Sequence, residues 1–178
     1  MATLTVWKFD SAEGAEQAVN DLQRMQRQEL IQIVDAAIVT WPQGAKKPKT
    51  HQLNNLAGAG ALGGAFWGLL FGLLFFVPFL GLAIGAGMGA LTGALSDVGI
   101  DDNMIKEMRT KITPGTSALF LMTQAAVLDK IRQETGGKYQ GHAELIQSNL
   151  SSEQEAKLRE VFGEEGVATG ASQSAPSA

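Results

Sequence analysis

The stretch from Thr50 to Ser96 contains no Asp, Glu, Lys or Arg, and glycine recurs at intervals of four in both of its halves. The first ladder is Gly60, Gly64, Gly68 and Gly72; the second is Gly81, Gly85, Gly89 and Gly93, with Pro78 between them. Residues four apart lie on nearly one face of an α-helix, so each ladder is a stripe without side chains along one side. In water each interior glycine costs a helix about 1 kcal/mol relative to alanine. In lipid an unpaired backbone amide costs several kcal/mol, so the helix persists, and small residues at this spacing let backbones approach closely.

The lengths agree with a membrane. Leu56 to Phe76 would reach about 30 Å at about 1.5 Å per residue, the thickness of a hydrocarbon core. Phe79 to Leu95 falls at the short end of the spanning range. Val77-Pro78-Phe79 is the place to turn, because proline lacks the amide a helix interior needs. Asn54 and Asn55 can cap the first helix, and Ser96-Asp97 closes the second. The expectation is a helical hairpin with both ends on one side of the membrane. Its first helix gathers Ala57, Gly60, Ala61, Gly64, Ala65, Gly68 and Gly72 on a face expected to meet protein. Leu62, Phe66, Leu69, Leu70, Leu73 and Leu74 lie opposite, on a face expected to meet lipid. The second helix adds a further small stripe at Ala83, Gly87, Ala90 and Ala94. A helix small on two sides can pack against its hairpin partner and against another subunit, which predicts a homo-oligomer. The alternatives are a re-entrant hairpin, a hairpin buried in a soluble core, and one buried inside an oligomer.

The flanks are polar. A net charge of −4 argues against a general nucleic-acid binder. The chain has no cysteine, hence no disulfide framework and no thiolate metal site. Met1 to Lys8 lacks the charged leader and apolar core of a secretory signal. Lys46, Lys47 and Lys49 precede the hairpin and place both flanks in the cytoplasm by the positive-inside rule. They can also contact anionic lipid.

Taken in order, Thr3–Phe9 reads as a strand. Asp10 and Glu13 have the spacing of a capping box for a helix to about Arg27, with Ala15, Ala18, Val19, Leu22 and Met25 inward. Leu30 to Trp41 reads as a second strand, Pro42-Gln43-Gly44 as a turn, and Lys46 to Leu53 as the returning arm. Beyond the hairpin, Asp101 or Asp102 can cap a helix carrying Met104, Ile105, Met108 and Ile112. Pro114-Gly115 ends it, and Ser117–Met122 has the continuous apolar run of a central strand. A helix over Ala126–Glu134, an edge strand over Tyr139–Gln147 and a helix from Ser152 to Phe162 complete the pattern. The domains are then 1–53 and 97–162 as two halves of one α+β domain, 54–96 as the inserted hairpin, and 163–178 as a disordered tail. The order of elements matches a ferredoxin-like split βαβ domain, helices on one face, with an inserted glycine-zipper transmembrane hairpin.

Val34-Asp35-Ala36-Ala37-Ile38-Val39, the glycine-rich hairpin, Ile105-Lys106-Glu107-Met108 and Pro114-Gly115-Thr116-Ser117-Ala118-Leu119-Phe120 together resemble a bacterial family of uncharacterised predicted membrane proteins. It is a family grouped as a domain of unknown function, and the resemblance covers most of residues 3–135. It implies a membrane-associated protein and supplies no reaction or catalytic residue; the expected location is the bacterial inner membrane, with the α+β domain in the cytoplasm. The hairpin is also similar, more loosely, to those of small stress-induced bacterial envelope proteins.

Reactive groups are sparse. His51 and His142 fall in polar extended segments and read as solvated residues. Asp97, Asp101 and Asp102 read as helix caps and surface, or less simply as a cation-attracting mouth. The hairpin glycines lack the following Lys-Ser/Thr of a phosphate loop. Trp67, inside the apolar run, reads as packing or lipid contact, and Trp41 as nearer the headgroups. No catalytic, cofactor-binding or metal residue is expected, and no small-molecule substrate. The leading expectation is a non-enzymatic membrane protein, an envelope-stress or membrane-organising scaffold that self-assembles through its glycine-zipper helices. The alternatives are an oligomeric pore, disfavoured by the uncharged stretch, and a soluble assembly with its hairpins inside.

Overall fold

The computed structural model describes residues 2–54, 56, 64–76, 100–124, 133 and 143–149. Among these, five strands form one sheet: β1 (Ala2–Phe9), β2 (Ile33–Thr40), β3 (Lys49–Gln52), β4 (Ser117–Gln124) and β5 (Ala143–Asn149). Their order is β3-β2-β4-β1-β5, and every neighbouring pair is antiparallel. Three α-helices accompany them: α1 (Gly14–Arg27), α2 (Gly64–Phe71), which runs on into a π-helix at Gly72–Phe76, and α3 (Asp102–Lys111). The protein is therefore α+β, and both flanks of the glycine-rich stretch contribute to the same sheet. β1 and β2, joined by α1, lie on either side of β4 and run parallel to each other.

Side-chain alternation explains why this sheet is covered on both faces. On β1, Leu4 and Val6 point one way and Trp7 and Phe9 the other; on β4, Ala118, Phe120 and Met122 oppose Leu119 and Leu121. All are buried, as expected for a continuous apolar run in a central strand. α1 covers one face with Ala15, Ala18, Val19, Leu22 and Met25. The other face is covered by α2, the π-helix and α3, the last through Met104, Ile105 and Met108. Helices on a single face, as the sequence suggested, would have left one of these apolar sets in water.

Local signals are only partly kept. Asp101 caps α3 as expected, its Oδ1 accepting from the Met104 amide at 2.8 Å. The Asp10–Glu13 capping box does not form: Glu13 is the N-cap residue without a side-chain bond, and Asp10 pairs with Lys8. Ser117, from the start of β4, replaces it. Its hydroxyl accepts from the Ala15 amide at 2.9 Å and donates to the Ser11 carbonyl at 2.7 Å. At its other end α1 closes in a Schellman motif, with Leu30 N–H on the Met25 carbonyl and Glu29 N–H on the Gln26 carbonyl, both at 3.0 Å. The turn between β2 and β3 places Gly44 at φ +83°. β3 then pairs with β2 through Val39↔Thr50 and Ala37↔Gln52, the returning arm expected there.

Asn54, Leu56 and residues 64–76 are the described part of the expected hairpin. Leu56, expected to open the membrane helix, lies instead in a turn, its amide on the Leu53 carbonyl at 2.9 Å and its side chain buried in the α1 layer. The second ladder from Gly81 to Gly93, the second small stripe, Gly60, Pro78, His142, Asp97, the expected helix at 126–134 apart from Gln133, the helix at 152–162 and the tail at 163–178 lie outside the described residues. Among the described residues no helix is long and apolar enough to cross a membrane. The two faces of the first helix are used in the reverse of the expected sense. Phe66, Leu70, Leu73 and Leu74, expected against lipid, are buried against the sheet. Gly64, Ala65 and Gly68, expected against protein, are exposed, and Gly72 is half-exposed. Helical periodicity decides which residues share a face; here the uncovered apolar sheet face decides what that face meets.

Candidate functional site

The most unusual group of the described residues is the carboxylate of Asp35, fully buried in β2. It sits within the apolar run Ile33-Val34-Asp35-Ala36-Ala37-Ile38-Val39. The register explains its direction. Ile33 pairs with Thr123 and Asp35 with Met122, so Val34 is an extra residue in β2, a β-bulge. The bulge sends Ile33 to the α1 face and Asp35 to the face covered by α2, in line with Ala37 and Val39.

A carboxylate removed from water is costly unless donors surround it. Three elements supply them. Oδ2 accepts from the Trp67 indole Nε1 of α2 at 3.0 Å. Gln52 of β3 brings its amide Nε2 to 3.3 and 3.4 Å from the two oxygens. Oδ1 accepts from the backbone amide of Ala36 at 2.8 Å. β2, β3 and α2 thus converge on one acidic group.

Around the indole lies an aromatic array. Trp67, Phe71 and Phe75 are spaced four apart, and their rings stack at 5.7 and 6.3 Å between centroids. Phe120 of β4 meets both Trp67 and Phe71 edge-on. Trp41 meets Phe75 edge-on at 6.0 Å, and its own indole donates to the Ala45 carbonyl at 2.9 Å. Such edge-on pairs contribute about 0.5–1.5 kcal/mol beyond area burial. A second polar tie comes from α3, where Arg109 donates to the Leu73 carbonyl of the π-helix. Trp67 and Trp41 are thus packing residues in this structure.

Chemically, the arrangement positions a helix. One carboxylate with an indole and an amide offers no nucleophile beside a base, the pairing that covalent catalysis requires. Among the described residues no group of three or more His, Asp or Glu is placed to hold a metal ion. His51 is exposed on β3, as are Lys46, Lys47 and Lys49 around it. Lys111 joins Glu107 at 2.6 Å and Glu144 of β5, and these two carboxylates raise its pKa above the usual lysine value. The sequence marks Asp35 only as part of the Val34–Val39 motif and gives no signal for Gln52 or Arg109. An acid in the middle of a β-branched apolar run was the available signal, since Asp is almost never buried without partners.

Residues 61–163 match the family described as Protein of unknown function (DUF1269). The chain belongs to this family. In this DUF1269 chain the matched segment holds α2, the π-helix, α3, β4 and β5, so Trp67, Phe120 and Arg109 lie within it and Asp35 and Gln52 before it. No curated protein and no solved structure matches the chain.

Proposed function

We propose that this chain is a non-enzymatic integral membrane protein that self-assembles through its glycine-zipper helices, with its α+β domain in the cytoplasm. The observation that carries self-assembly is the free side of α2. The sheet engages the Leu/Phe side, while Gly64 and Gly68 face outward and a methyl group built on Gly68 or Gly72 meets nothing within 4 Å among the described residues. A second helix, from the same hairpin or another copy, finds there a surface on which backbones can approach closely. The uncharged stretch from Thr50 to Ser96 supports the membrane part of the reading. Within it the sheet reads as a ferredoxin-like split βαβ, because β1 and β2 flank β4 with α1 as their crossover. The expected role is a membrane-organising or envelope-stress scaffold whose partners are lipid and its own copies.

A second reading, a soluble assembly with the hairpins inside, is favoured by the burial of Phe66, Leu70 and Leu74 against the sheet. Fractionation separates the two. Retention in membranes after a carbonate wash supports insertion, and a large detergent-free particle supports the soluble assembly. Either assembly is tested by Gly85→Leu and Gly89→Leu, which are expected to abolish cross-linked oligomers. Undiminished cross-linking in both variants would remove the glycine packing from the account.

A further inference from the structure

We propose that α2 and the π-helix form a releasable strap, latched to the sheet by the Trp67–Asp35 hydrogen bond, and that a lipid bilayer competes with the sheet for the strap's apolar face. The inference rests on the membrane reading above. One side of this helix carries all of its bulk: Phe66, Leu70, Leu73 and Leu74 on the sheet, against Gly64 and Gly68 outside. It therefore has a single apolar face, and that face can lie on the sheet or in lipid but not on both. Lipid tails are as apolar as the sheet, so the exchange is close to balanced for these side chains. Two polar ties bias it toward the sheet. The Trp67 indole donates to a fully buried carboxylate, and Arg109 donates to the Leu73 carbonyl. A hydrogen bond to a buried carboxylate has a fixed direction, so it sets the rotation of α2 on the sheet as well as its hold. Release would uncover Val6, Ala37, Val39 and Phe120, which water penalises. The strap is therefore expected to leave only at a bilayer surface, against which the bared sheet face can lie.

The chain has no cysteine, so a single reporter can be placed at Gly68, which is exposed and has open space beside it. Full-length Gly68→Cys is labelled with a water-soluble maleimide, with and without phosphatidylglycerol–phosphatidylethanolamine vesicles, and pelleted after a carbonate wash. On the sheet the thiol reacts; once the strap inserts, Gly68 lies midway along Leu56–Phe76, at the depth of the hydrocarbon centre, where a water-soluble reagent does not reach it. Adding Trp67→Phe removes the donor and keeps the ring. It is expected to raise the vesicle-shielded to reactive ratio on the order of tenfold, the effect of one hydrogen bond to a charged group. Arg109→Met is expected to act in the same direction and serves as the latch variant if Trp67→Phe fails to fold. Trp67→Phe with Asp35→Leu is expected to raise the ratio no further than Trp67→Phe alone, because either change removes the same bond. Equal shielding in parent, Trp67→Phe and Arg109→Met, with protein in the carbonate pellet, would overturn the latch and leave the membrane reading standing. Full labelling in every variant with nothing in the pellet would overturn both.

Discussion

A methyl group on Gly14 would meet the Phe9 Cβ at 2.5 Å, so the first residue of α1 is a glycine for want of space. Gly14→Ala is expected to destabilise by about 1–3 kcal/mol, the usual effect of overpacking, read as a lower urea midpoint with an unchanged slope. Glu29 offers the opposite case. It holds φ +56° at the position after the α1 C-cap, where a side chain is strained. Glu29→Gly is expected to stabilise by about 1 kcal/mol, seen as a rise in Tm. Ser117 caps α1 from a strand 102 positions away in sequence. Ser117→Ala leaves the Ala15 amide without that acceptor and is expected to lose about 1–2 kcal/mol by chemical denaturation. The capping box at Asp10 and Glu13 was legible and wrong, because a competing hydroxyl arrives only when β4 pairs with β1.

At the scale of elements, β1, α1, β2, β4 and α3 follow from periodicity and are found close to where the sequence places them. The glycine-rich helix is found as a helix over Gly64–Phe71, and its two stripes are the ones the wheel defines. What the wheel did not define was which stripe meets the sheet. α3 is joined to β5 through Lys111, which bridges Glu107 and Glu144. The pairs are near the surface, so Lys111→Met is expected to lose less than about 1 kcal/mol, and less again in added salt. Both carboxylates raise the lysine pKa, so their contribution is fully present below the unfolded value of 10.5 and is lost as pH rises through the raised folded value. Urea midpoints of parent and variant are therefore expected to differ at neutral pH and to converge above the lysine range.

For the molecule as a whole, the sheet is the common wall of two apolar layers, and Phe120 belongs to the layer that holds α2. Its ring touches both Trp67 and Phe71, so Phe120→Ala is expected to cost about 3–5 kcal/mol and to loosen α2 more than α1. Hydrogen exchange should show protection lost first in α2, while α1, on the far face, keeps its slow amides.

Sequence alone determined the alternation of β1 and β4, the helical stripes of α1 and α3, and the two faces of the glycine-rich helix. These are properties of spacing, and backbone geometry converts spacing into faces without reference to anything distant. Tertiary structure decided which surfaces meet. The bulge at Val34 turns Asp35 toward α2, Trp67 and Gln52 arrive from other elements to satisfy it, and Ser117 reaches across the chain to cap α1. Such pairings depend on which buried polar groups and bared apolar faces come within reach after the strands have paired, and no local period encodes that.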